Sequence, residues 1–482
     1  MHRVTLNRPT QTTGYRRKAA AIGRHVAAML AALLLAPSIV SAHGRLKESV
    51  PSSGAHLTSA PASLRLVFTE APELTFMLVQ LLGPNGTPVA LTPVTIAADS
   101  RRAVVASIRG AMRAGVYTVI WQMAGDDGHP VRGQFTFTIA GTDAAGAGAM
   151  DTNSHHDAAS MPGGEGFGSE SWQYVAIRWA QYTALVMVLG AIAFRLIVVG
   201  FLRRQQEPNS PMLADASRGA ARLARVATVA LAITALMRLY AQSYALHGAA
   251  RALELPLMQA MLGRTAWGRG WLVQCAALVL VWFALRPSSS GRDRWLMAVA
   301  GGVLLAVSMA LSGHAASSPR LTELAVVADT MHIIGAGGWL GSLLIVLAAG
   351  IPAALRLPDD QRMAGVAGLV SAYSPTALFF AGATAVTGVF AAWLHLGVVP
   401  ALWESNYGRT LLVKLAVLSL VAGTGAYNWL RVKPALGRTA GVQHLRRSMK
   451  IELAVGLVVL LVTAVLVATP TAMDDAAMTM PM

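Results

Sequence analysis

Cysteine is almost absent from this chain. Of its 482 residues only Cys275 is a cysteine, and it lies inside a long apolar run. One cysteine excludes a disulfide framework within the chain and excludes Cys-x-x-Cys metal sites. A bound metal would therefore need His, Met, Asp or Glu ligands. Cys275 itself is typical of a small buried residue.

Charged residues are also scarce. They make up 13% of the chain, and hydrophobic residues make up 54%, whereas soluble proteins carry roughly 25% charged residues. The shortage is uneven, because residues 45–140 have an ordinary soluble composition and residues 172–469 are mostly apolar runs. The composition predicts an integral membrane protein with a soluble domain in front of it.

The excess of basic residues follows the membrane topology. The net charge is +16, which could suggest a nucleic-acid partner, but the Lys and Arg residues lie in short loops between apolar runs. With the soluble domain outside, the inner loops hold 16 Lys and Arg and the outer loops hold 4. This asymmetry agrees with the positive-inside rule, so we expect no nucleic-acid partner.

The apolar region divides into runs that are each long enough to cross a bilayer, for which roughly 20 apolar residues suffice. There are eight of them: 173–200, 221–246, 267–285, 294–311, 324–349, 373–396, 410–430 and 451–469. We therefore expect a bundle of about eight membrane helices in the bacterial inner membrane, with the amino-terminal domain in the periplasm.

Residues 1–42 have the pattern of a secretory signal. Basic residues precede the apolar run Val26–Val40, and Val40-Ser41-Ala42 fits a small-x-small cleavage site. Cleavage after Ala42 would make His43 the first residue of the mature protein. The alternative is an uncleaved anchor helix.

Residues 43–140 show the alternation of β-strands. Leu64–Phe68 and Gln134–Ile139 alternate apolar and polar positions, and turn signals such as Gly83–Gly86 and Asp127-Gly128 separate such segments. Several short strands at this spacing predict a β-sandwich.

Particular motifs in this region resemble a known family. Ser49-Val50-Pro51, Leu66–Glu70, Gly115–Trp121 and Asp127–Gly133, together with His43, resemble the CopC-type copper-binding domain. The resemblance implies a cupredoxin-like all-β sandwich that binds Cu(II). We expect this sandwich to be followed by an all-α polytopic membrane bundle.

The predicted Cu(II) site uses a terminal histidine. His43 would supply its amine and its imidazole, and Cu(II) prefers a tetragonal set of N and O ligands. Asp127 and His129 alternate on a strand-like segment, so both can point the same way. The family has ligands at these positions, and Glu70 is a further candidate. By itself, Asp127-Gly128 could equally be a hairpin turn. Methionines are too scattered in this domain to predict a Cu(I) site there.

The membrane region resembles the CopD-type copper resistance domain. The resemblance rests on Gly268–Val273, Ser312–Ala315, Asp329–Gly341 and Tyr407–Lys414. It implies a natural CopC–CopD fusion, from a family associated with copper uptake and resistance. The expected domains are a signal peptide (1–42), a CopC-like domain (43–140), a flexible linker (141–171), a CopD-like membrane domain (172–470) and a Met-rich tail (471–482).

Ionisable residues at the ends of membrane spans are candidate site residues, because they are costly to place there. We expect His314, Asp329 and His332 to form a copper site on the outer side, and Asp329 and His332 share a helix face at i and i+3. The alternative is that such histidines are ordinary interfacial residues. Lys414 and Glu452, also within apolar runs, fit a structural ion pair, a snorkelling end or a transport role.

Two further segments have copper-binding side chains. The linker contains His155-His156, which fits either a solvated tether or transient copper capture. The tail has four methionines within Met473–Met482, which fits either a disordered end or Cu(I) capture.

Copper transport is the function that these features favour, with copper ions, the lipid bilayer and possible periplasmic copper proteins as partners. We expect no enzyme. The sequence has no nucleotide-binding loop or phosphorylated-Asp motif that would support ATP-driven pumping, and no recognisable reductase motif supplies the Cu(II)-to-Cu(I) step. Two alternatives stay open. One is a haem-binding membrane redox protein, since histidines on neighbouring spans can ligate haem. The other is a copper-sequestering protein with a membrane anchor.

The terminal chelate leads to a first prediction. Copper affinity should fall on acidification, because the α-amine must lose its proton to bind and its ordinary pKa is roughly 7.7–8.0. One extra residue before His43 should remove the chelate. Cu(II) titration of both forms at several pH values checks this, and unchanged affinity in the extended form would exclude the ligand set.

Overall fold

The computed structural model describes most of the chain after residue 45. The described residues are 46–69, 71–124, 130–140, 171–205, 210–286, 292–313, 321–428, 430 and 439–469. The predicted signal peptide, almost all of the predicted linker and the Met-rich tail lie outside these residues, so those expectations stay predictions.

The amino-terminal domain is a β-sandwich, as expected. Its strands are β1 (Leu46–Val50), β2 (His56–Leu57), β3 (Ser63–Phe68), β4 (Leu78–Leu82), β5 (Pro88–Val89), β6 (Thr95–Ala97), β7 (Ser100–Ser107), β8 (Gly115–Ala124) and β9 (Pro130–Ile139). One sheet has the order β1-β3-β7-β6, and the other has the order β2-β9-β8-β4-β5. All pairs are antiparallel except β2 with β9.

The sandwich core comes from the two-residue period of the strands. On β3 every second side chain is buried. On β8 the core face consists of Tyr117, Val119, Trp121 and Met123, and Ile120 and Gln122 on the opposite face are buried as well. Successive side chains of a strand point to opposite faces, so this alternation places one face of each sheet in the core. The edge of the Phe68 ring packs against Trp121, with 5.3 Å between the ring centroids, and this contact joins the two sheets.

Gly133 makes room for Trp121 across the β8–β9 pair. The two residues are register partners, and a Cβ atom on Gly133 would lie 2.4 Å from Cζ2 of the indole. A larger residue at position 133 would therefore displace Trp121.

The carboxyl-terminal part is helical. Its helices are α1 (Trp172–Gln205), α2 (Pro211–His247), α3 (Leu255–Arg264), α4 (Ala266–Ala284), α5 (Arg292–Leu311), α6 (Thr322–Ala354), α7 (Asp359–Leu396), α8 (Ala401–Glu404), α9 (Asn406–Tyr427) and α10 (Thr439–Leu466). Within the described residues, eight helices are long and apolar enough to cross a membrane, namely all except the short α3 and α8. This confirms the expected number of spans.

Small residues allow the helices to approach closely. On α2 the buried residues Ala216, Ala220, Ala224 and Ala227 recur at helical spacing on one face, and α2 packs along α1. Where α1 meets α6, a Cβ atom on Gly190 would lie 2.1 Å from the carbonyl carbon of Gly341. Membrane helices associate through such small residues, since lipid supplies no hydrophobic drive between them.

The other side of α6 packs against α7 in a similar way. Gly335 faces the Thr384 side chain, and Gly338 lies against the Phe380 ring. Two π-helical turns, Gly337–Gly341 and Val346–Gly350, interrupt the α-helical pattern of α6. The glycine contacts therefore fix α6, the helix that carries Asp329 and His332, between α1 and α7.

The contact between Gly190 and Gly341 leads to a second prediction. Gly341→Ala should lower the unfolding temperature of the detergent-solubilised protein, because the added methyl group would meet the Val186 carbonyl oxygen at 2.0 Å. Overpacking typically costs about 1–3 kcal/mol. Gly382→Ala on α7 is the matched control, since nothing lies within 4 Å of its Cβ position. Equal unfolding temperatures for the two variants would contradict the close contact.

Candidate metal centre

The strands that lead to the predicted Cu(II) ligands end on one side of the sandwich. Leu46, where β1 begins, pairs with Phe68, where β3 ends. Ala124 and Pro130 pair at the open end of β8 and β9, and Phe68 packs against Trp121 near this end of β8. The strand ends that precede or follow the predicted ligand positions in the sequence therefore lie at the same end of the sandwich.

Five predicted site residues lie outside the described residues, and the structure therefore does not test them. They are His43, Glu70, Asp127 and His129 in the sandwich and His314 in the membrane domain. Among the described residues, no group of three or more His, Cys, Asp or Glu side chains could hold a metal ion. The two predicted residues that are described are Asp329 and His332.

The same end of the sandwich contacts the carboxyl end of α2. Gln122 on β8 donates from Nε2 to the Leu246 carbonyl oxygen at 3.0 Å. Arg132, its partner across β9, donates from Nη2 to the Ala245 carbonyl at 3.0 Å and from Nε to Gln122 Oε1 at 2.8 Å. The last carbonyls of a helix lack partners within the helix and favour cations. Burial lowers the pKa of Arg132 from its ordinary value.

An ion pair and an apolar cluster extend this contact. Arg264 at the end of α3 binds Glu73 at 2.6 Å, and the Thr75 hydroxyl donates to the same carboxylate at 3.1 Å. Beside them, Phe76 of the sandwich is buried with Leu246, Met261 and Trp267 of the helical domain. We call this set of interactions, from Gln122 and Arg132 to Phe76, the docking contact.

His332 is held on α6 by a residue of α7. Its Nδ1 lies 3.0 Å from the hydroxyl oxygen of Thr387, and that hydroxyl donates its own proton to the Ala383 carbonyl at 2.8 Å. Nδ1 therefore carries a proton, and in a neutral ring the lone pair that a metal needs lies on Nε2. The absent side chain of Gly388 leaves room for the ring, since a Cβ there would approach His332 Cε1 at 3.2 Å.

Asp329 lies one helical turn before His332, and both are half-buried. At 1.5 Å per residue they sit roughly 10 and 15 Å from the start of α6. Asp329 interacts electrostatically with the half-buried Lys414 of α9. Lys414 also interacts electrostatically with His332, so its charge acts on both predicted site residues of α6. Glu452 instead accepts a hydrogen bond at 3.0 Å from Nδ2 of Asn428.

The chain leading to His314 is anchored by a buried arginine. Arg238 of α2 donates from Nη2 to the Ser312 carbonyl at 3.0 Å. The Ser312 hydroxyl is buried and donates back to the Ser308 carbonyl. Gly270 on α4 leaves the space that this hydroxyl occupies. The position of Ser312, which follows the end of α5 and lies two residues before His314, is thus set by α2 and α4.

Sequence reasoning missed Arg238, Thr387 and the docking contact. Arg132 was part of the Asp127–Gly133 motif, but its partner is 113 residues away, and Thr387 is 55 residues from His332. A single sequence has no signal for pairs so far apart.

Family models match three parts of the chain. They are described as the CopC domain over residues 46–140, the Copper resistance protein D-like N-terminal domain over 169–323, and Copper resistance protein D over 367–466.

Several curated proteins are similar to this chain. Copper transport protein CutJ of Bacillus subtilis is 26% identical over 93% of this chain and 78% of its own length. Copper resistance protein D of Pseudomonas syringae is 28% identical over 59% of this chain and 93% of its own length. Copper resistance protein C of Escherichia coli is 34% identical over 20% of this chain and 82% of its own length.

The docking contact leads to a third prediction. Arg132→Ala should increase amide hydrogen exchange near the carboxyl end of α2, because it removes the donor to Ala245 and releases Gln122. Hydrogen bonds from charged groups contribute about 1.5–3 kcal/mol, and the partial exposure of Arg132 reduces this. Arg102→Ala, an exposed site on β7, removes the same charge and should leave α2 unchanged. Identical exchange in both variants would exclude a contact held by Arg132.

Proposed function

Because this chain belongs to the CopC–CopD copper resistance family, we propose that it collects copper in the periplasm and passes it across the inner membrane. The amino-terminal sandwich binds Cu(II) through His43, Asp127 and His129, with Glu70 nearby. The helical domain accepts copper at His314, Asp329 and His332. Copper is the cargo of both sites.

The docking contact is the observation that carries this proposal. Gln122 and Arg132 lie on the two strands whose connection contains Asp127 and His129, and they hold the carboxyl end of α2 at 3.0 Å. A sandwich that served only to store copper would not need this end fixed to the membrane domain. Transfer to a membrane acceptor does need it, because the ion must leave one ligand set close to the next.

The geometry of His332 supports its role as an acceptor. Thr387 orients the ring through Nδ1, and metal-binding histidines usually have their second nitrogen fixed in this way. Asp329, one turn away, supplies a negative charge. The neighbouring Lys414 balances that charge when no copper is present.

The relatives support copper as the cargo, since their names describe copper transport and copper resistance. The excess of Lys and Arg in alternate loops supports a periplasmic sandwich. The inward direction of transport is part of the proposal.

A fourth prediction tests transport in cells. His332→Asn keeps an amide N–H that can donate to Thr387 but removes the Nε2 ligand. We expect cells with this variant to accumulate copper only to the level of cells that lack the protein. Total copper per cell, measured by mass spectrometry, checks this. His395→Asn, at the end of α7 beside the Tyr407 ring, is the matched control and should behave as wild type.

Other outcomes would identify other functions. Unchanged copper content in cells with and without the wild-type protein, together with protected periplasmic enzymes, would mean sequestration and would contradict transport. A Soret band in the absorption spectrum of the purified protein would instead indicate a haem-binding redox protein.

A further inference from the structure

His247, the last residue of α2, has one ring nitrogen that is hydrogen-bonded and one that has no hydrogen-bond partner among the described residues. Its Nδ1 lies 3.1 Å from the Ser243 carbonyl oxygen and 3.2 Å from the Ser243 hydroxyl oxygen. That hydroxyl donates its proton to the Ala252 carbonyl at 2.6 Å. Both neighbours of Nδ1 therefore accept, so Nδ1 carries the proton and the lone pair of the neutral ring lies on Nε2.

The Nε2 atom is buried and has no hydrogen-bond partner among the described residues. A buried acceptor without a partner costs about 1–3 kcal/mol. The indole Nε1 of Trp267 is a buried donor that likewise lacks a partner within the part of the chain that the structure describes. Two buried polar atoms beside the docking contact are therefore left without a protein partner among the described residues.

The surroundings of Nε2 suit a soft metal ion. The His247 ring lies 5.8 Å from the Phe76 ring, and Phe76 is clustered with the fully buried Met261. An imidazole and a thioether in an apolar setting favour Cu(I). The nearby cation Arg251 is paired through two hydrogen bonds with Glu254, whose pKa those bonds hold below its ordinary value. The pair thereby offsets the repulsion that Arg251 would exert on copper.

The location adjoins the contact between the sandwich and α2. The carbonyls that Arg132 and Gln122 bind belong to Ala245 and Leu246, which directly precede His247. The ring is therefore next to the strands that lead to Asp127 and His129. His247 also belongs to the helical domain. Its helix, α2, carries Arg238, whose side chain binds the Ser312 carbonyl just after α5.

We propose that His247 Nε2, with the Met261 thioether as second donor, forms a Cu(I) transit site at the docking contact. Copper that leaves the sandwich as Cu(II) gains one electron from an external thiol reductant before it binds here; two thiols reduce two Cu(II) ions and are oxidised to one disulfide with the release of two protons. The site deepens the proposed function, on which it rests, because it names the first acceptor on the membrane side. The competing occupant is a water molecule that accepts from Trp267 Nε1 and donates to His247 Nε2.

The fifth prediction uses the full-length protein in detergent, titrated anaerobically with Cu(I) against a chromophoric Cu(I) chelator. His247→Asn retains an amide that can donate to the Ser243 carbonyl and loses Nε2. Met261→Leu keeps the side-chain volume and loses the sulfur. We expect His247→Asn to lose one equivalent of Cu(I), and Met261→Leu to bind that equivalent at least about tenfold more weakly. His56→Asn, an exposed histidine of β2, should match wild type.

Cu(II) binding by the sandwich, measured on the same variants, should stay unchanged. The two proposals are tested by separate measurements. Cellular copper uptake in His332→Asn tests transport, and the Cu(I) stoichiometry of His247→Asn tests the transit site. Equal Cu(I) binding by wild type and His247→Asn would overturn the site and leave water as the occupant.

If His247→Asn unfolds at a lower temperature than wild type, X-ray absorption of the Cu(I)-loaded wild-type protein decides instead. A sulfur neighbour of copper that disappears in Met261→Leu supports the site. A spectrum that is the same in both proteins excludes it.

Discussion

The unsatisfied carbonyls at the carboxyl end of α2 are the constraint on which the arrangement of the two domains depends. A helix cannot satisfy its own last carbonyls, and here the sandwich supplies donors from Gln122 and Arg132. These two residues are register partners across β8 and β9, so the sheet holds them at the spacing that two successive carbonyls require. The segment that contains Asp127 and His129 connects these two strands, so in the proposed function the contact that attaches the domain would also set where its metal is released.

Inside the membrane domain, polar side chains connect helices that apolar packing alone would leave free to slide. Arg238 reaches from α2 to Ser312 after α5, and Gln181 of α1 donates to Gln274 of α4. His332 of α6 reaches Thr387 of α7. Polar groups in a bilayer are expensive and are kept where they serve a function. Each of these contacts fixes the position of one span relative to another.

The sequence predicted features that depend on a residue's local surroundings, and it missed contacts between segments that are far apart in the chain. Alternation at Leu64–Phe68 and the apolar runs of 172–469 report on a residue's immediate surroundings, core or lipid, and both predictions were confirmed. The i, i+3 relation of Asp329 and His332 is equally local. The contacts of Arg132 with Ala245 and of His332 with Thr387 arise only when distant segments pack. The close approach of Gly190 to Gly341 is also a contact between distant segments. A glycine in a membrane helix gives no indication in the sequence of which helix packs against it.

The charges around His332 bear on which copper ion the membrane domain can accept. Asp329 is one negative charge, and Lys414 is its electrostatic partner. A Cu(I) ion bound by His332 and Asp329 would leave this group with a net charge of +1 unless Lys414 moves away or gives up its proton, and a Cu(II) ion would leave +2. The cost of an unbalanced charge rises steeply in a medium of low dielectric constant, so Cu(I) is the form that the proposed site would tolerate better. Replacement of the Lys414 charge near Asp329 by the copper ion would keep the charge of the bundle constant during entry, and on this argument the proposed acceptor would include Lys414.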